Sequence, residues 1–488
     1  MWYGLSSILA RFLNYLLTPY LTAVLVAGAY GEMSVVYAFI PFLNVLFTYG
    51  METTFFRYSN KEEDQKLVFN TISLSVLFTT ILFTGIFLLN QESLTSLLRL
   101  EQHPEFLTWT AGILALDTLT AIPYAKLRND NRPRKYAFIR IAGILLNIGL
   151  VLFFYSVLPG LAAQYPGTFI ASLWDPSLGA GYVILANLAQ SALAFILLAP
   201  EFFSVRLRVD LRLWRKMMIY SLPIMIAGFG GMINETFDRL MLNWLAPVGS
   251  EEAAKEQVGI YSAVYKLSLL ITLFIQAFRM GAEPFFFQQA KGENAPKTYA
   301  RVMNYFVMAV CLMFLFVALY LDIWKQFIQN PVMWEGLKIV PVLLLANMFL
   351  GIYYNLSIWY KLSHKTSAGA VITFAGAAIT VLINYFFIPA YGYVACAWAT
   401  LACYGSMMLL SWVWGQKVYP VPYDVRKIVG YMVSMLLVFA LHQFLVSLFP
   451  SRLVYYLSAT LIFLGYGIWM LRSEPALLSL LPIRRFRN

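Results

Sequence analysis

The chain of 488 residues is 60% hydrophobic and only 12% charged, where a soluble domain carries about a quarter charged residues. With a mean hydropathy of +0.69, this composition excludes a soluble globular protein and predicts an all-α integral membrane protein. The net charge of +11 would suit nucleic acid on a soluble face, but Lys and Arg gather in alternate loops between apolar spans, so no nucleic-acid partner is expected.

Apolar windows of about 20 residues give about fourteen spans. The first covers roughly 1–27, with Gly4, Ser7, Arg11, Asn14 and Thr18 on one face. No basic segment precedes it, so no cleavable signal peptide is expected and Met1 reads as already inside a helix. The second span, 32–56, carries Tyr37, Pro41, Asn44, Thr48 and Glu52 three or four residues apart, as one continuous polar stripe. Such a stripe is expensive against lipid, which predicts a wall facing protein or water. Spans at 67–89, 107–125, 137–158 and 178–199 complete a first half and bring Asp117 and Arg140 to membrane depth. Residues 201–216 are the most basic connection and read as an inter-lobe linker along the membrane interface.

The second half runs through spans at 216–246, 258–284, 299–320, 336–358, 368–388 and 393–414. Its first span holds Asn234, Glu235, Asp238 and Arg239, in which Arg239 can pair with Glu235 or Asp238. The small-residue run from Ala227 to Gly231 lacks the Lys and Ser/Thr of a phosphate loop and reads as close helix packing. The next span holds Lys266, Gln276, Arg279 and Glu283. Spans at 427–446 and 453–471 form an appendix. Cys311, Cys396 and Cys403 lie in apolar spans with no paired spacing, and His103, His364 and His442 are scattered, so no metal site or cofactor is expected.

The halves repeat. Gly31, Ser34 and Tyr37 correspond to Gly259, Ser262 and Tyr265 at a constant offset, Asn44 and Thr48 to Thr272 and Gln276, and, after a three-residue insertion, Gly50, Glu52, Phe55 and Phe56 to Gly281, Glu283, Phe286 and Phe287. Gly181-Tyr182-Val183 opens the sixth span as Gly392-Tyr393-Val394 opens the twelfth, and Lys126-Leu127 precedes the fifth much as Lys361-Leu362 precedes the eleventh. Six spans per copy make the copies parallel. The expected organisation is a six-helix lobe over 1–200, the linker 201–216, a second lobe over 217–414, and two helices with a basic tail over 415–488. Placing the basic loops inside puts both termini in the cytoplasm, with a further attraction to anionic membrane lipid.

Charges within spans cost roughly 2.5–3.5 kcal/mol each at a helix centre. Arg11 and Lys266 have no acidic residue one turn away on their own helices and are the leading candidates for cavity cations that hold a phosphate or pyrophosphate. Arg140, Arg239 and Arg279 are further candidates, read equally as snorkelling or helix-locking charges. Asn14, Asn44, Thr48, Asn234 and Gln276 supply cavity polarity. Glu52, Asp117, Asp238 and Glu283 are candidates for proton or sodium coupling, and Glu52 and Glu283 read alternatively as gate residues at the inner mouth, partnered by Arg57 or Arg279.

Residues 48–53 (TYGMET), 233–239 (INETFDR) and 391–398 (YGYVACAW) resemble the polysaccharide-biosynthesis flippases, the O-antigen branch of the multidrug/oligosaccharidyl-lipid/polysaccharide exporter superfamily. The resemblance spans nearly the whole chain. It implies two six-helix lobes that open alternately to either side of a bacterial inner membrane, moving an undecaprenyl-pyrophosphate-linked oligosaccharide outward for lipopolysaccharide assembly. It further implies that Arg11 and Lys266 hold the headgroup, that the last two helices line a groove for the lipid tail, and that a polysaccharide polymerase and chain-length machinery act nearby. An exporter of organic cations shares the architecture and would want an acidic cavity. A membrane glycosyltransferase or polymerase needs catalytic carboxylates on a sizeable outer loop, and 159–178 supplies only Asp175, so no enzyme is expected.

Overall fold

The structure is a computed structural model that describes residues 2–60, 64–247, 249–290, 292 and 294–474, with side chains from Leu9 onward except those of Ala10 and Arg11. The Arg11 side chain, Lys61, Lys291 and the basic tail with Arg484, Arg485 and Arg487 therefore lie outside the described residues. Among the described residues every regular element is helical. Among the described residues twelve helices are long and apolar enough to cross a membrane, and Trp2–Val24 and Gly181–Leu197 bring the long helices to the expected fourteen. Their outward faces carry bare apolar side chains such as Phe78, Ile81, Leu437 and Leu461, which suit lipid.

Several helices start where the sequence supplies an acceptor. Asp64 takes the Leu67 amide at 3.0 Å, Asp210 the Arg212 and Leu213 amides at 2.8 and 3.0 Å, and Asp424 the Lys427 amide at 3.1 Å. Each places a carboxylate at the positive end of a helix dipole.

The chain packs as two compact units. The first comprises 1–263, 328–333 and 376–399, and the second 264–327, 334–375 and 400–488. In the first, Gly181–Leu197 packs on Pro133–Leu152 and Glu105–Asn129, while Ala27–Thr48 packs on Leu211–Leu245. In the second, Ala295–Ala318 packs on Val340–Leu356 and Val425–Leu448, and the last two helices pack together.

The second span is not one continuous helix, as its stripe implied. Tyr49 and Gly50 take left-handed backbone, with φ of 32° and 74°, and a new helix, Met51–Ser59, begins after them. Glycine suits the break twice over. It meets no side-chain penalty at positive φ, and a Cβ on Gly50 would lie 2.9 Å from the Ser221 carbonyl oxygen. Tyr49 is held by burial and by its hydroxyl, 2.7 Å from Ser75 Oγ. The corresponding helix of the second copy, Glu251–Gln289, runs unbroken through Gly281.

The repeat is visible within the first unit. Gly31 and Gly259 oppose each other where their helices cross, and a Cβ on Gly31 would lie 1.8 Å from the Lys255 carbonyl oxygen, one on Gly259 2.0 Å from that of Ala27. Ala27 and Lys255 are themselves repeat partners, so the crossing is locally two-fold. Beside it the Lys255 ammonium donates to Glu32 at 2.8 Å, with side chains only 5% and 11% exposed. Lys255 precedes the apolar span expected at 258–284, yet it lies in the second turn of a helix, Glu251–Gln289.

Candidate functional site

Met51 and Phe55 anchor the short helix Met51–Ser59 in a core with Val68, Phe69, Ile72 and Met217. That anchoring turns Glu52, one residue on from Met51, toward the last turn of Glu105–Asn129, where the Arg128 guanidinium donates to it. Arg128 also lies 4.8 Å above the Phe56 ring. Arg57, the expected partner, stacks instead on Tyr220 at 4.1 Å.

The pair lines a cavity of about 320 Å³. Asn44, Thr48 and Glu52 all line it, so the helix break keeps these three residues of the stripe on one wall. The facing walls supply Asp117, Tyr124, Arg140, Gln190 and Ser191. Ser191 donates to Asp117 at 2.7 Å. The Arg140 guanidinium lies 4.4 Å from the Tyr124 ring and 5.7 Å from that of Tyr136, two rings set edge to face at 5.4 Å.

The second unit carries the same arrangement at the same point of its repeat. Lys361 donates to Glu283, and Arg279, one turn before it on the same helix, stands 4.0 Å from the same carboxylate. Arg279 stacks on Tyr354 at 4.1 Å. Phe278, Phe286 and Tyr354 line the space beside the pair, which is only about 10 Å³. The equivalence of Lys126 with Lys361 is displaced by two residues: Arg128 takes the part of Lys361, while Lys126 stands over the Phe69 ring and donates to Ser204.

Asp238, 4% exposed, accepts from Arg239 at 3.0 Å and from the Tyr261 hydroxyl. Arg239 also donates to the backbone carbonyl of Glu235 at 3.0 Å. Asn234 is buried beside them in the sequence, and Lys266 and Gln276 are half-buried in the second unit, while Asn14 is exposed. Thus Glu52, Asp117, Arg140, Asn44 and Thr48 meet in one cavity, and Asp238 with Arg239 forms a separate centre.

Sequence reasoning missed Arg128, Lys361, Gln190 and Ser191. The first two read as topological loop charges, and the last two carry no charge to draw attention. The described residues contain no cluster of three or more His, Cys, Asp or Glu arranged for a metal. Asp175 caps its own turn through the Ser177 hydroxyl and amide, which hold its carboxyl below the usual range.

The family model described as "Polysaccharide biosynthesis protein" matches residues 1–290. The chain belongs to this family. No curated protein sequence matches it. Among solved structures, "Lipid II flippase MurJ, inward closed conformation" is similar with a TM-score of 0.67 at 15% identity, over 96% of this chain and 98% of that one. An inward-facing multidrug resistance MATE family transporter of the MOP superfamily gives 0.63 at 12% identity, over 87% and 95%. Its outward-facing counterpart gives 0.57 at 13%, over 88% and 95%. At these identities the likeness is one of fold, and this member of the polysaccharide-biosynthesis family shares the helical fold of those transporters.

Proposed function

We propose that the protein is an alternating-access flippase that moves an undecaprenyl-pyrophosphate-linked oligosaccharide from the cytoplasmic to the outer leaflet of a bacterial inner membrane, with both termini cytoplasmic. The observation that carries this reading is the duplicated ion pair, Glu52 with Arg128 and Glu283 with Lys361, at repeat-related points of a chain in a polysaccharide-biosynthesis family. A carboxylate tied to a cation on another helix of its own unit serves as a gate strut better than as an ion site, because its charge is already answered. Proton or sodium coupling falls to Asp117, since Asp238 is answered by Arg239 in the same way. The lobes over 1–200 and 217–414 are the moving bodies, 201–216 their linker, and the helices after 415 the guide for the lipid tail.

Arg11 and Lys266 remain the residues assigned to the pyrophosphate, while Arg140 lines the first unit's cavity opposite Asp117. Loss of surface polysaccharide in the Arg11→Ala, Lys266→Ala double variant, with normal insertion, supports this assignment; normal delivery removes it. Export of organic cations is the second reading, favoured by Asp117 and Glu52 in the cavity wall. It predicts resistance to lipophilic cations on overexpression and no dependence on Arg11.

A further inference from the structure

The first unit's cavity is polar without a surplus of either charge. Two carboxylates, Glu52 and Asp117, face two guanidiniums, Arg128 and Arg140. A pyrophosphate entering it would meet Asp117, and would find Arg128 already donating to Glu52. An organic cation would meet Arg140. What the walls offer in quantity is groups that both donate and accept: the Asn44 and Gln190 amides, the Ser191 and Thr120 hydroxyls and the Tyr124 phenol. A sugar ring presents the complement, since each of its hydroxyls also donates and accepts. The volume of about 320 Å³ sits at the low end of small-ligand sites, about 300–1,000 Å³, and so fits a saccharide unit better than a lipid. Beside the corresponding pair of the second unit, Phe278, Phe286 and the Arg279–Tyr354 stack line a space of only about 10 Å³. The second pair thus forms with far less space beside it, so the pair geometry alone does not require a cavity of this size.

We propose that this cavity is a saccharide subsite that receives a sugar of the lipid-linked glycan, apart from the cations that hold its pyrophosphate. The inference rests on the flippase reading. Asn44 and Gln190 read the hydroxyls, and Asp117, oriented by Ser191, accepts from one more. Because the walls balance in charge, discrimination among sugars comes from hydrogen-bond geometry, and an apolar replacement in the wall leaves sugar hydroxyls unpaired.

The test uses the full-length protein in proteoliposomes with two fluorescent probes, a polyprenyl pyrophosphate bearing an oligosaccharide and the same lipid without sugar. Gln190→Leu and Asn44→Leu are expected to lower binding of the glycosylated probe about tenfold each, the worth of one or two hydrogen bonds, and to leave the bare lipid unchanged. Equal loss for both probes, or loss for neither, overturns the proposal. A second measurement does not depend on those variants folding. The native Cys311, Cys396 and Cys403 are buried, so Ala121→Cys provides a maleimide-reactive thiol in the cavity wall. Glycosylated lipid is expected to protect it and bare lipid not to; equal protection by both, or by neither, contradicts the subsite. If the unaltered protein binds and moves neither probe, the flippase reading fails and takes the subsite with it, whereas glycosylated-probe transport insensitive to both Leu variants removes the subsite alone.

Discussion

Arg128 donates to Glu52 across 76 residues of sequence, from the last turn of one helix to the first turn of another. Both side chains are partly exposed, at 31% and 47%, so the pair adds little to stability, about 1 kcal/mol or less. Glu52→Ala and Arg128→Ala are therefore expected to unfold within a few degrees of the unaltered protein and to lose transport. The exchange Glu52→Arg with Arg128→Glu recovers part of it. Transport by reconstituted protein, with thermal unfolding in detergent as the control, checks this; full activity in both single variants removes the gate role.

Lys255 and Glu32 form the opposite kind of pair, buried at 5% and 11% side-chain exposure. Lys255→Met leaves the Glu32 charge unanswered and is expected to cost about 3–5 kcal/mol, whereas Lys255→Met with Glu32→Leu comes back near the original stability. Thermal unfolding of the four proteins in one detergent gives the coupling.

The glycine crossing predicts a sharp positional contrast. Gly259→Ala places a methyl 2.0 Å from a backbone carbonyl oxygen, while Gly28→Ala, on the Ala27–Thr48 helix, meets nothing within 4 Å. The first is expected to destabilise by about 1–3 kcal/mol, as overpacking does, and the second to be neutral or slightly stabilising. Equal unfolding temperatures for the two contradict the crossing.

Asp210 caps its helix through the Leu213 and Arg212 amides, which hold its carboxyl below the usual carboxylate range. A carboxyl depressed on folding contributes stability above its unfolded value of about 3.9, and that contribution fades as pH falls through the folded value. The stability difference between the unaltered protein and Asp210→Ala is therefore expected to be constant from neutral pH to about pH 5 and to shrink in more acid solution. A difference that grows with acid contradicts the cap.

Much of the fold is legible in the residues because membrane spans announce themselves by length and apolarity, and the repeat of Gly31 and Gly259 marks the points at which the two helix copies meet. The break at Tyr49 was hidden. A Thr-Tyr-Gly run continues helical spacing as readily as it ends it, and the positive φ of Gly50 and the approach of Ser221 show why glycine stands there. The partners of Glu52 and Glu283 were hidden for a related reason: Arg128 and Lys361 sit at helix ends rich in Lys and Arg, where one charge reads like any other. Asp117 and Arg140 stood out because charge at membrane depth needs an answer, yet their joint cavity depends on Gln190 and Ser191, whose sequence context is plain apolar helix.

The flippase account is tested most directly by reconstituting the protein in vesicles that hold a fluorescent undecaprenyl-pyrophosphate-linked oligosaccharide and measuring how much of it becomes accessible to a membrane-impermeant quencher. The account predicts transfer by the unaltered protein and its loss in Glu52→Ala and Glu283→Ala. No transfer by the unaltered protein, together with uptake of a lipophilic cation by the same vesicles, contradicts it.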